Sequence, residues 1–310
     1  MEQLKEVRLE SFAKIIADVL SKVPKDASPV FALLPEVWAS TQMIAPEKTD
    51  TLLKLLREIK LYPKTAAFRF STSGTYLHIS EGALNLIWCA SYASWFIYQA
   101  FANPGENVRF DSDPATAEAV DLYEWAIKAV RNNIYTPWPE GAPKPTRTPV
   151  QGSESHVANE VFLTTVAWML LHEHGHLFRE HPMTSSTVAL AEEHEADLFA
   201  TNHVLGGIEE YDVRFKRSVG IVVANVLLLL LDLDHGPAPS PTHPPVEERI
   251  SRNLRGPELG DDDRIHAFAT ALILFHLRIF GIQPELAQHD QFGNFLDDFC
   301  FAINRWRKPA

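Results

Sequence analysis

Residues 171–197 read LHEHGHLFREHPMTSSTVALAEEHEAD. Within this stretch, His172-Glu173-His174-Gly175-His176 forms an HExxH motif at the end of an apolar run, Val161 to Leu171. The run predicts one helix that continues into the motif and is ended by Pro182. Residues four apart on a helix share a face. His172 and His176 therefore point the same way and can hold one zinc ion through two imidazole nitrogens. Glu173 stands beside the first ligand, placed to take a proton from a zinc-bound water.

Catalytic zinc takes three protein ligands and keeps one position for water. A second helical pattern runs from about Thr187 to Val204, and on it Glu193 and Asp197 are again four apart. Glu193 is the expected third ligand. Asp197 is expected to accept a hydrogen bond from the far nitrogen of a ligand histidine, which fixes the tautomer and makes the ligand more basic. Glu192 and Glu195 compete with Glu193, and the spacing to Asp197 favours Glu193. His174 falls on the other side of the helix from His172. His181 lies five residues past His176, not the six of a longer three-histidine motif, whose glycine is also missing.

HExxH followed by Glu-x-x-Ala-Asp, here Glu193 to Asp197, resembles the gluzincin zinc peptidases in the manner of the HtpX and CAAX-prenyl-protease group. Residues 240–250, SPTHPPVEERI, are similar to that group's His-Pro-x-x-x-x-Arg element, with His243 and Arg249 six apart. The resemblance covers residues 172–249. It implies a zincin-like metallopeptidase fold with HExxH on a buried active-site helix, zinc as cofactor and a protein or peptide substrate. It also places His243 and Arg249 near the cleft, as candidate donors to a developing oxyanion. HtpX-type enzymes are integral membrane proteins, and this chain departs from them there. More loosely, the chain resembles the Lit-type phage-exclusion peptidases.

Composition narrows the rest. The 310 residues carry a net charge of −12 with no basic stretch long enough to track a phosphate backbone, which argues against nucleic acid as a partner. Two cysteines, Cys89 and Cys300, make no disulfide framework. The opening MEQLKEVRLESF has no apolar signal core, so a reducing cytoplasm is expected.

Taken in order, the chain predicts a mainly α protein with a small antiparallel β element, an α+β class. Residues 1–23 have the spacing of an amphipathic helix, and Lys48 to Leu61 that of a second helix ended by Pro63. Together, residues 1–62 are expected to be a helical N-terminal extension of a single peptidase domain spanning 1–310. Residues 66–80 alternate as a β-hairpin turning at Ser73-Gly74. By the resemblance, such a hairpin could supply an edge strand for the substrate backbone. Glu81 to Phe101 is apolar and aromatic, yet Asn85, Ser91, Ser94 and Gln99 interrupt it, so a buried core helix is expected and not an integral membrane segment. Asp113-Pro114 is a helix start. Residues 133–155 form a Pro-rich loop. Apolar helices are expected at Ser218 to Leu233 and His266 to Ile282, with amphipathic ones starting near Pro244 and Asn294.

The function these residues predict is a zinc-dependent endopeptidase with Glu173 as general base. The alternative is a zinc-binding regulatory or partner-binding protein without peptidase activity, and the intact Glu173 argues against it, because a purely structural site has no need of a base.

Overall fold

The computed structural model describes residues 14–73, 76–102, 113–178, 186–236, 245–255, 263–285 and 292–307. Helix α1 covers residues 14–21 of this set. It is followed by α2 (Leu34–Ile44), α3 (Thr49–Arg57), β1 (Ile59–Tyr62), β2 (Phe70–Ser73) and β3 (Tyr76–Ser80). Then come α4 (Glu81–Ala102), α5 (Pro114–Asn132), α6 (Glu154–Phe178), α7 (Ser186–Leu205) and α8 (Tyr211–Asp234). The described chain closes with α9 (Val246–Arg255), α10 (Asp263–Ile279) and α11 (Phe295–Arg307). The class is mainly helical with a small sheet, as expected.

Local chemistry explains the clearest boundaries. Asp113 caps α5, accepting from the backbone N–H groups of Ala115 and Thr116 at 3.0 Å each, with Pro114 as the first helical residue. Asn133 ends α5 in the left-handed conformation, φ 51°. Residues 81–94 of α4 are buried without a break, which is why that helix reads as apolar on every side. No described helix is long and apolar enough to cross a membrane.

Helix α6, the carrier of HExxH, packs against α2, α4, α7 and α8. Small residues set how closely. A Cβ added at Gly220 of α8 would lie 2.6 Å from the Thr164 side chain, so only glycine permits this crossing of α6 and α8. Thr165 uses the same approach, donating its hydroxyl to the Gly220 carbonyl at 3.1 Å.

The sheet differs from expectation in one strand. The two expected strands pair antiparallel, with Phe70 opposite Ile79 and Ser73 opposite Tyr76, while Gly74 of the expected turn lies outside the described residues. Helix α3, however, stops at Arg57, and Ile59–Tyr62 leave it as a strand parallel to β3. The apolar spacing of residues 48–61 is helical, but backbone pairing with β3 along Ile59↔Leu77 to Tyr62↔Ser80 overrides the local pattern. The sheet is thus mixed, in the order β1-β3-β2, with β2 at an edge.

The Pro-rich loop is irregular but fastened. Trp138 sets its ring edge-on to Trp88 of α4 and Trp125 of α5, at 5.6 and 5.4 Å between centroids. Arg147 reaches Glu36 of α2 at 2.7 Å, and Asn159 donates to the Thr146 carbonyl at 2.7 Å. From the N-terminal region, Ile16, Val30, Phe31, Leu33 and Trp38 join the same apolar core as α4 and α6.

Candidate metal centre and active site

The two helices predicted to carry the site cross at their smallest residues. A Cβ at Gly175 would come within 3.1 Å of the Ala196 Cα and 3.3 Å of its Cβ. This close approach lets α7 offer a carboxylate to histidines on α6. Trp168 strengthens the crossing, donating its indole N–H to the Thr201 hydroxyl at 3.0 Å and stacking on His172.

The helical spacing places His172 and His176 on one face, their Nε2 atoms 3.1 Å apart and their rings nearly perpendicular at 83°. Glu193 completes the group, with its oxygens 3.5 Å from His172 Nε2 and 3.3 Å from His176 Nε2. Potential ligand atoms of all three lie within 4.8 Å of one another. Among the described residues, this is the group found to fit a metal ion. Glu192 and Glu195, the competitors on α7, do not belong to it.

Around this group lies a buried charge network. His172 Nδ1 sits 2.9 Å from Asp197 Oδ1, which leaves Nε2 to face Glu193 and His176. Arg249 of α9 grips Asp197 with a two-pronged contact, Nε to Oδ2 at 2.8 Å and an Nη to Oδ1 at 2.6 Å. Its other Nη lies 3.2 Å from Glu193 Oε2. Asn253, one turn further along α9, donates to Asp197 at 3.2 Å and to Asn225 of α8 at 2.9 Å. Asn225 in turn donates to the Ile221 carbonyl at 2.9 Å. Asp197 is 1% exposed and Arg249 4%. Burial alone would raise the Asp197 carboxyl, but Arg249 and His172 outweigh it and hold the group well below the usual carboxylate range. The Arg249 guanidinium is pushed down by burial and, more strongly, up by Asp197 and Glu193. Asp197, Glu193 and Arg249 together hold one more carboxylate than guanidinium, a balance that favours a bound cation.

Glu173, next in sequence to His172, reaches β2 of the sheet. Its Oε2 accepts two hydrogen bonds from Thr72 of β2, one from the backbone N–H at 2.7 Å and one from the hydroxyl at 2.8 Å.

Residues 77–269 match the family described as Peptidase U49, well over half of the chain. The chain belongs to the Peptidase U49 family. It is also similar to a "Cell death peptidase" of Escherichia coli (strain K12), 28% identical over 295 residues that cover 90% of this chain and 98% of that protein. No solved structure matches the chain. These matches support a peptidase of the Lit type, the looser of the two resemblances, and do not extend to the HtpX and CAAX-prenyl-protease group. In this U49 chain the matched region runs from β3 into α10 and so contains His172, Glu173, His176, Glu193, Asp197 and Arg249.

The other predicted positions sort clearly. His174 is fully buried and stacks on Phe199 at 5.5 Å. Burial, with help from Lys48 and His203, pushes its imidazole down to about 4. His181 and His243 lie outside the described residues. Sequence reading missed Asn253, Asn225 and Thr72. Asn253 is four residues past Arg249 and so shares its face, a signal open to inspection. Asn225 in an apolar run is a polar group that burial obliges to find a partner. Thr72 carries no such signal.

Proposed function

We propose that this U49 chain is one zincin-like domain and a zinc-dependent endopeptidase, with His172, His176 and Glu193 as metal ligands and Glu173 as general base. The convergence of His172, His176 and Glu193, with Glu173 next in sequence to the first of them, is the observation that supports this reading. Two imidazole nitrogens and a carboxylate oxygen are a donor set suited to zinc, and three protein ligands leave a position for water. When bound, zinc supplies Lewis-acid polarisation of a carbonyl and acidifies water toward neutrality.

The protein's own groups do the rest. Glu173 takes the proton of the attacking water and passes it to the leaving amine nitrogen. Asp197 holds His172 in the tautomer that presents Nε2. Arg249 acts through Asp197 and Glu193: its guanidinium is engaged with both carboxylates, so we assign it to positioning and not to contact with substrate. That leaves His243 as the proposed oxyanion donor, a role for which an imidazole is suited near neutral pH. Its support is the His-Pro-x-x-x-x-Arg pattern.

The test is metal analysis joined to an N-terminomic comparison of wild type and Glu173→Gln. The expected result is about one zinc per chain in both, with cleavage falling by on the order of 10²- to 10⁴-fold in the variant. Cleavage at the wild-type rate by Glu173→Gln would overturn the assignment of the base. Zinc retained by a His172→Ala, His176→Ala double variant would overturn the ligand set. For His243→Ala, a loss of about 2 to 4 kcal/mol in transition-state stabilisation is expected, with zinc content unchanged. Normal turnover would remove His243 from the mechanism.

A further inference from the structure

Among the described residues, only Thr72 donates hydrogen bonds to the Glu173 side chain, and it lies 101 positions earlier in the chain. Thr72 sits on β2, the edge strand, opposite Leu77 of β3. Its backbone N–H is directed away from β3 and donates to Glu173 Oε2 at 2.7 Å, and its hydroxyl donates to the same oxygen at 2.8 Å. Both bonds are charge-assisted, the stronger kind of protein hydrogen bond.

A glutamate has three side-chain torsions, and the last of them is broad and nearly two-fold. Without a partner, the two carboxylate oxygens would exchange places and the group would sweep a wide arc. Two donors on one oxygen remove that freedom. They occupy Oε2 and leave Oε1, which takes no hydrogen bond from a described residue, for another partner.

We propose that Thr72 is a positioning residue for the general base, reserving Oε1 of Glu173 as the oxygen that receives and returns the proton. This rests on the reading of Glu173 as the base. In the forward step, Oε1 takes the proton from water while Oε2 keeps both bonds from Thr72. In the neutral acid that results, Oε2 is the carbonyl oxygen and is still an acceptor, so the two bonds survive the transfer. Oε1 then gives its proton to the leaving amine nitrogen and the carboxylate is restored. The base thus works from one oxygen throughout. Misplacement of a catalytic group by an ångström can lower turnover by on the order of 100-fold.

The same bond joins the base to a strand edge. An edge strand offers outward N–H and C=O groups to any extended chain beside it. Here one of those outward N–H groups is already engaged by Glu173, so position 72 holds the base and does not serve as a donor to another backbone.

Two measurements test this. The first is amide hydrogen exchange at Thr72 in the full chain, compared between wild type and Glu173→Ala. An outward N–H on an edge strand exchanges readily unless something accepts from it, so protection in wild type and its loss in Glu173→Ala are expected, with Leu77 unchanged. Equal exchange at Thr72 in the two proteins would overturn the proposal. The second is steady-state kinetics. Thr72→Val keeps the N–H and the branched shape but loses the hydroxyl, and kcat should fall by about 10-fold with KM within about twofold of wild type. Thr72→Ser should bring kcat back toward wild type. A Thr72→Val variant with wild-type kcat would overturn the proposal, as would a loss that Thr72→Ser shares. Should Thr72→Val also lower the melting temperature, the serine variant and the exchange data decide. If Glu173→Gln is inactive while Thr72→Val is normal, only the positioning role fails. If Glu173→Gln is active, the reading of the base fails first.

Discussion

His172 and His276 are both buried histidines on long helices, and the chain treats them in opposite ways. At the α6–α7–α9 crossing, burial pushes the His172 imidazole down, but Asp197 and Glu193 outweigh it and the net shift is upward. At the α5–α10 contact, His276 has no such counter-charge. Its Nδ1 lies 2.6 Å from the Leu272 carbonyl and its Nε2 2.7 Å from the Tyr123 hydroxyl. The carbonyl can only accept, so Nδ1 carries the hydrogen and Nε2 accepts from Tyr123. Burial then pushes the imidazole down to about 4. The difference teaches that depth does not decide the charge of a buried group; what its partners carry does. One region of the core is built from mutually compensating charges, the other from neutral hydrogen bonds.

The sharpest way to break this contrast is to remove Arg249. The guanidinium compensates two carboxylates that are themselves buried. Arg249→Met should lower stability by about 3 to 5 kcal/mol, the scale for leaving a buried charge without its partner. Urea unfolding in the presence of a chelator measures it, and a loss below about 1 kcal/mol would mean that the carboxylates do not depend on Arg249.

The neutral region gives the next largest effect, through pH. His276 titrates near 4 when folded and near 6.5 when unfolded, so below pH 6.5 the unfolded chain binds the proton first. Stability is therefore complete above pH 6.5, falls as pH drops from 6.5 to 4, and levels off below. The span corresponds to about 3 kcal/mol. His276→Leu should remove that share of the pH slope. An identical slope in the variant would show that another group carries it.

Asp197→Asn probes the charged region more gently. The amide keeps the size of the side chain but not its charge, and zinc affinity should fall by about 10- to 100-fold in a competition with a chelator. Unchanged affinity would mean that Asp197 does not support His172. Smallest of all, Asn253→Ala removes a neutral donor from Asp197 and should cost about 1 kcal/mol in unfolding free energy, with little change in metal content. A larger loss there would show that the α9–α8 link through Asn225 matters more than its geometry suggests.

The sequence alone determined what is local. The His172–His176 and Glu193–Asp197 spacings rest on helical periodicity, which needs only the neighbouring turn, and the structure brings the first three of these residues together. The same holds for the Asp113-Pro114 cap, the pairing of β2 with β3 and the apolar α4, each legible from residues close together in sequence. What only the tertiary structure decided lies between elements. Strand β1 continues a helical pattern and became a strand because β3 lay beside it. Arg249 was legible as part of a motif, but its engagement by Asp197 and Glu193 needed α9 to be docked on α7. The bond from Thr72 to Glu173 spans 101 positions and has no periodicity to announce it. Side-chain spacing along one helix follows from backbone geometry, whereas a contact between distant segments follows from how whole faces pack, and no single window of sequence contains that information.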